Sequence, residues 1–118
     1  MPLVRLETTE KVQPDRKASL CARLSALCAE AIGKPEEYQM AIVADGLTML
    51  RSGKPGPAAF VDIRSIGGLT PRVNGVLSAR ICRLLEEELG IPGARVYLVM
   101  TDVRADDWGH DGGTFGGG

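Results

Sequence analysis

PDRKASLCARLSALCAEAIGKPEEYQMAIVAD, residues 14–45, and PRVNGVLSARICRLLEEELGIPGARVYLVMTD, residues 71–102, are two versions of one pattern. A shift of 57 residues pairs Pro14 with Pro71, Leu20 with Leu77, Ala22 with Ala79 and Arg23 with Arg80. The same shift pairs Leu27 with Leu84, Gly33 with Gly90, Pro35 with Pro92 and Asp45 with Asp102. Conservative pairs fill the gaps: Val4 with Val61, Leu6 with Ile63, Leu24 with Ile81. Two copies are too few for a solenoid, where each repeat needs stacked neighbours to bury its apolar face. They suit two β-α-β units packed about a pseudo-twofold axis.

The first unit opens with a strand over Leu3–Thr8, where Val4 and Leu6 alternate with Arg5 and Glu7. A helix follows from Pro14 to Ile32. Proline suits the first turn, Asp15 suits the positive end of the dipole, and Gly33 ends the run. Leu20, Leu24, Leu27, Cys28 and Ala31 form its apolar stripe. The next strand, Tyr38–Ala44, is apolar on both faces. Asp45–Pro57 reads as a turn, a short edge strand at Thr48–Leu50, and a Gly/Pro loop.

The second unit repeats the scheme. A strand spans Ala58–Ser65, with Val61 and Ile63 on one face and Asp62 and Arg64 on the other. Thr70 is placed as an N-cap with Pro71 in the first turn. The helix runs to Leu89 with Val73, Leu77, Ile81, Leu84 and Leu85 inward. A long strand covers Arg95–Asp102, and a short one is expected around Trp108 before a glycine-rich tail. Right-handed crossovers make the long strands of each unit parallel. The expected class is α/β, of the α+β kind: a four-stranded mixed sheet with both helices on one face.

That architecture leaves Met40, Ile42, Tyr97 and Val99 on the far face of the sheet. Exposing them forfeits ~1.5–3 kcal/mol per large side chain. Self-association into a closed ring covers such a face and shields strand edges. Trp108 and Phe115 are candidate anchors for the interface.

Composition narrows the function. The 118 residues form one domain, 1–118, that is 44% hydrophobic and 25% charged. A net charge of −1 offers no basic field for nucleic acid or acidic membranes. No apolar run approaches the ~20 residues of a membrane span, and the polar alternation of the first residues does not resemble a signal peptide. The expected location is the cytoplasm, with export lacking a signal peptide as the alternative. Cys21, Cys28 and Cys82 show no C-x-x-C spacing and sit in helical patterns as small hydrophobes. With one histidine, His110, and no Cys/His cluster, neither a metal nor another cofactor is expected.

The chemistry centres on Met1-Pro2-Leu3. Trimming of Met1 leaves Pro2 with a free secondary amine, a backbone-derived base. An α-amino group titrates near ~8, and an apolar wall or a nearby cation lowers it further. Lys34 supplies such a cation. Its counterpart in the repeat is Ile91, so the turn itself does not demand lysine.

Five stretches, Met1-Pro2, GKPEEY at Gly33–Tyr38, SIGG at Ser65–Gly68, RVYLVMTD at Arg95–Asp102 and TF at Thr114–Phe115, run the length of the chain. On them the chain resembles the tautomerase superfamily, within it the macrophage migration inhibitory factor and D-dopachrome tautomerase branch. The resemblance implies a homotrimer whose sheets form a central β-barrel, with sites between subunits. It implies Pro2 as catalytic base, Lys34 and the Ile66 N–H beside it, and Tyr97 arriving from the neighbouring subunit. Tyr38 and Phe115 match positions of the aromatic wall. Three positions depart from the pattern: Val99 stands where an asparagine is expected, His110 where a tryptophan is expected, and Ala58 and Val61 where a C-x-x-C occurs. The implied activity is keto–enol tautomerisation of a phenylpyruvate-like 2-oxo acid without cofactor or metal, with Val99 as pocket wall. The competing expectation is a cytokine-like trimer that binds a protein receptor and keeps a vestigial pocket.

Overall fold

The computed structural model describes residues 1–117. Its main sheet contains β1 (Pro2–Thr8), β2 (Met40–Ala44), β3 (Ala59–Ser65) and β4 (Val96–Asp102), in the order β2-β1-β3-β4. Helices α1 (Pro14–Ile32) and α2 (Pro71–Leu89) are the crossovers of the two units. β1 and β2 are parallel, as are β3 and β4, while β1 and β3 pair antiparallel at the centre. The expected α+β class and mixed sheet are therefore present.

Periodicity explains which faces are covered. Val4, Leu6, Val61 and Ile63 are fully buried beneath the helices. From α1 come Leu20, Leu24, Cys28 and Ile32, and from α2 come Leu77, Ile81, Leu84 and Leu85. Leu27, Ala31 and Val73 pack only partly against this core. Thr70 caps α2 as expected: its hydroxyl accepts the Val73 N–H at 3.2 Å. Both helices end on left-handed glycines, Gly33 at φ 80° and Gly90 at φ 68°.

The other face of the sheet is open in the single chain: Met40 is 61% exposed, Tyr97 59% and Val99 49%. Between these apolar edges the central strands carry the Arg5–Glu7 and Arg64–Asp62 ion pairs.

Three local expectations need correction. Tyr38 closes a 3₁₀ turn, Glu36–Tyr38, and β2 starts only at Met40. Pro35 stands just ahead of that turn, and the Gln39 N–H bonds back to Glu36 instead of entering the ladder. No strand forms at Thr48–Leu50. The chain makes a tight turn bridged by Arg51 and Lys54, with Ser52 at φ 57° and Gly53 at φ 70°. Near the C-terminus, Trp108 is not in a strand. A hairpin follows it, pairing β5 (Gly109–His110) with β6 (Gly113–Thr114). The expected glycine tail is described to Gly117, and Gly118 lies outside the described residues.

Candidate active site

The start of β1 meets the end of β3, and the expected site residues gather there. Pro2 is fully buried and pairs with Ser65 in the ladder. Just outside it, the Met1 carbonyl accepts the Ile66 N–H at 3.3 Å. The Ile66 carbonyl in turn accepts a hydrogen bond from Lys34 Nζ at 3.2 Å. Lys34, Ile66 and the Met1–Pro2 peptide thus form one connected group, although the three segments are far apart in sequence.

Local geometry brings them together. After Gly33 turns left-handed, the Lys34 N–H bonds back to the Ala29 carbonyl at 3.0 Å, so the side chain leaves α1 toward the sheet end. The facing loop lies so close that a Cβ on Gly68 would sit 2.8 Å from Ile32 Cγ2 and 3.4 Å from Lys34 Cε. With φ at +84°, this position suits glycine on two counts. Ser65 Oγ donates to the Gly67 carbonyl at 2.7 Å, and the Asp102 carboxylate accepts the Gly67 N–H at 2.9 Å. The Ile66 amide is therefore held on both sides.

The electrostatics favour a neutral amine here. The Met1 amino group titrates below its ordinary value, first because it is partly buried and second because the Lys34 cation is near. Both causes penalise a positive charge at this end of the sheet.

Next to this group is a cavity of about 620 Å³, bordered by Met1, Pro2, Tyr38, Met40, Trp108 and Phe115. Glu37, Arg64, Asp107 and His110 also border it. Gly109 and His110 of β5 and Phe115, just after β6, bring the β5–β6 hairpin to this cavity. The hairpin's two-residue turn is Asp111-Gly112, with φ of 49° and 82°, the backbone that an Asp-Gly hairpin favours. The His110 and Phe115 rings stack with centroids 5.3 Å apart and planes 10° apart.

Of the expected site residues, Pro2, Tyr38 and Phe115 border this cavity, whereas Ile66 and Lys34 lie outside its lining and connect to it through the Met1 carbonyl. Tyr97 and Val99 do not reach it within one chain. Tyr97 pairs with Phe60 while Pro2 pairs with Ser65, which puts them ~17 Å apart along the strands at ~3.3 Å per residue. The Tyr97 ring instead lies under the Arg51 guanidinium, 4.5 Å from it, beside a second cavity of about 590 Å³.

A match to the family model described as macrophage migration inhibitory factor (MIF) covers residues 1–116. The chain belongs to the MIF family. A MIF homolog from Brugia malayi is 33% identical over 116 residues, covering 98% of this chain and all of that protein. Among solved structures, a MIF homologue from Prochlorococcus marinus superposes with a TM-score of 0.91 at 36% identity, covering 96% of this chain and 98% of the other. A MIF-like protein from Entamoeba histolytica gives 0.88 at 34% identity, covering 97% and 98%.

Within this MIF-family fold, sequence reading missed Met40 as a cavity residue, marked His110 only as a departure from the family pattern, and took Trp108 only for an interface anchor. The signal for the wall was present in Asp111-Gly112, a strong two-residue hairpin motif. The cysteines stand apart: burial pushes the Cys28 thiol up to about 12, a protonated and unreactive form. Among the described residues no group of three or more His, Cys, Asp or Glu could hold a metal ion, and no helix is long and apolar enough to cross a membrane.

Proposed function

We propose that this MIF-family protein is a tautomerase that interconverts the keto and enol forms of phenylpyruvate-like 2-oxo acids, with Pro2 as the base once Met1 is removed. The carrying observation is the contact of the Met1–Pro2 peptide with the Ile66 N–H and, through the Ile66 carbonyl, with Lys34. In the Met1-bearing chain the Met1 carbonyl oxygen occupies the Ile66 amide. It stands in for an oxygen of a bound acid.

Removing Met1 does two things together. It turns a tertiary amide into a secondary amine, and it frees the Ile66 N–H for a ligand oxygen. The new amine would lie at the end of the sheet where burial and the Lys34 charge lower the Met1 amine. A larger share of it is therefore unprotonated near neutral pH.

The reaction follows from that. Pro2 nitrogen takes a proton from the carbon next to the keto group, and the released C–H electron pair forms the C=C bond of the enol. The C=O π pair moves onto the keto oxygen, which takes a proton from water, and protonated Pro2 gives its own proton back to solvent, so that none is consumed. Lys34 and the Ile66 N–H bind carboxylate and keto oxygens, where negative charge is held or develops. Tyr38 and Phe115 contact the ring. In the reverse direction the protonated Pro2 returns its proton to carbon. No cofactor or metal is needed.

The uncovered sheet face supports a homotrimer with a central barrel, in which Tyr97 of one subunit completes the Pro2 site of the next and Val99 lines its wall. The test is Pro2→Gly in Met1-free protein, assayed by ketonisation of enol phenylpyruvate. Turnover should fall by ~10²–10⁴ with the same oligomer size on a sizing column; unchanged turnover removes Pro2 from the mechanism.

One observation favours a second reading, a cytokine-like factor that acts by binding a protein receptor. With Met1 in place, Pro2 has no basicity and the Ile66 amide is already satisfied. Intact-mass measurement of the natural N-terminus separates the two: a retained methionine favours binding, a free proline catalysis.

A further inference from the structure

The proposed chemistry leaves one polar ring of the cavity unused. His110 borders it on the β5 strand, stacked in parallel on Phe115. Main-chain features hold this hairpin in place. The Phe115 N–H bonds to the Trp108 carbonyl at 3.2 Å. The Gly116 backbone lies so close to Asp106 that a Cβ there would run into its carboxylate. The imidazole is exposed, and nothing in that scaffold draws on its nitrogens.

Its neighbours suit the task less well. Arg64 is engaged by Asp62 through two hydrogen bonds, at 3.3 and 3.1 Å. Glu37 and Asp107 carry negative charge, which disfavours contact with an anionic ligand. Gln39 also borders the cavity, its Nε2 donating to the Met40 carbonyl at 3.1 Å, and the rest of the wall is mostly apolar or aromatic, with Tyr38, Met40, Val103, Trp108 and Phe115. A flat ring fits between such surfaces, but they do little to distinguish one ring from another.

We propose that His110 is a specificity-determining residue of this cavity: its imidazole hydrogen-bonds a hydroxyl on the ring of an aromatic 2-oxo acid, so that hydroxyphenyl ligands are preferred to phenyl ones. The choice of acid rests on the tautomerase reading; the ring preference rests on the wall. A neutral imidazole donates at one nitrogen and accepts at the other, and a hydroxyl can serve either. A phenyl ligand that covers His110 leaves a desolvated nitrogen without a partner. Such a site discriminates more strongly than an apolar one of the same shape. Stacking on Phe115 already restrains the ring, which reduces the entropy lost on binding.

Trp108 is the only tryptophan in the chain and borders the cavity, so its fluorescence reports binding whether or not turnover occurs. Met1-free protein would be titrated with phenylpyruvate and with 4-hydroxyphenylpyruvate. The hydroxylated acid should bind about fivefold to tenfold more tightly. His110→Phe, which keeps a ring against Phe115, should erase that preference. His110→Gln should retain part of it. If the phenylalanine disturbs the hairpin, His110→Leu serves as the second apolar variant. A wild type without the preference, variants that keep it in full, or no binding of either acid would overturn the inference. A His110-dependent preference in a protein that turns over neither acid would sink the tautomerase reading and leave the His110 assignment standing.

Discussion

At one end of the β1–β3 ladder the Ala58 carbonyl accepts Thr8 Oγ1 at 2.9 Å, the Thr9 N–H at 3.2 Å and Thr9 Oγ1 at 3.4 Å. At the other end the Met1 carbonyl accepts the Ile66 N–H at 3.3 Å. The two ends are mates under the 57-residue shift: Met1 with Ala58, Thr8 with Ser65, Thr9 with Ile66. Thr8 and Ser65 are both fully buried hydroxyls, but Ser65 turns to the Gly67 carbonyl instead. Lys34 stands opposite Ile91, which is fully buried. Tyr38 stands opposite Arg95, whose guanidinium ties down the carbonyls of Lys54, Gly56 and Pro57. One framework is thus closed where the chain runs through it. Where β1 begins, the first peptide is lightly held and bordered by a cation and an aromatic wall. The lesson is that an ordinary ladder end becomes a candidate site when its strand supplies an amine.

The largest way to test that contrast is to make one substitution at both ends. In Met1-free protein, Pro2→Gly should lose ~10²–10⁴ in kcat/KM. Ala59→Gly should cost about 1 kcal/mol or less of stability with turnover preserved. Equal losses of turnover would dissolve the distinction.

The next pair is Ile91→Ala and Lys34→Ala. The first opens a core cavity and should cost about 2–5 kcal/mol in urea unfolding. The second should leave the unfolding midpoint nearly unchanged while raising KM by about tenfold or more, since a charge-assisted hydrogen bond to the acid is lost.

A pH profile sharpens the electrostatic side. Because burial first and Lys34 second depress the amine at this end, kcat/KM should rise with pH as Pro2 loses its proton. In Lys34→Ala one cause of the depression is gone, so the same limb should move to higher pH. A limb that stays in place or moves down would show that Lys34 does not act on that nitrogen.

The smallest effect is expected at Asp45, the mate of Asp102. Its carboxyl is held below the usual range by Lys17 and then by the Val12 N–H, with contacts of 2.8 Å to each. A depressed carboxyl stabilises the fold above its unfolded pKa, and that contribution fades as pH falls through the folded value. Asp45→Asn should therefore lower the urea midpoint slightly near neutrality and match wild type in strong acid. Asp102→Asn should act on ligand affinity instead, by loosening Gly67 and the Ile66 amide.

Most of the fold was legible because its determinants are local or repeated. Thr70, Pro71 and Gly90 bound α2, and strand alternation chose the faces of β1 and β3. Tyr38 misled because its apolar character continues the pattern of β2 while Pro35 and the 3₁₀ turn take its backbone out of the ladder. Leu50 misled in the same way, since a β-like residue beside the Ser52-Gly53 turn finds no ladder to join. Of the site, Pro2, Lys34 and Ile66 could be named from motifs, whereas the closeness of all three to one peptide could not.

Sequence alone determined the doubled β-α-β pattern, the helix ends and the buried faces, because each depends on neighbours a few residues away or on an internal copy. Only tertiary structure decided that residues 1, 38, 108, 110 and 115 enclose one cavity and that Tyr97 lies at the far end of the sheet. Those relations arise from register and crossover, which join distant segments and leave no mark on local spacing.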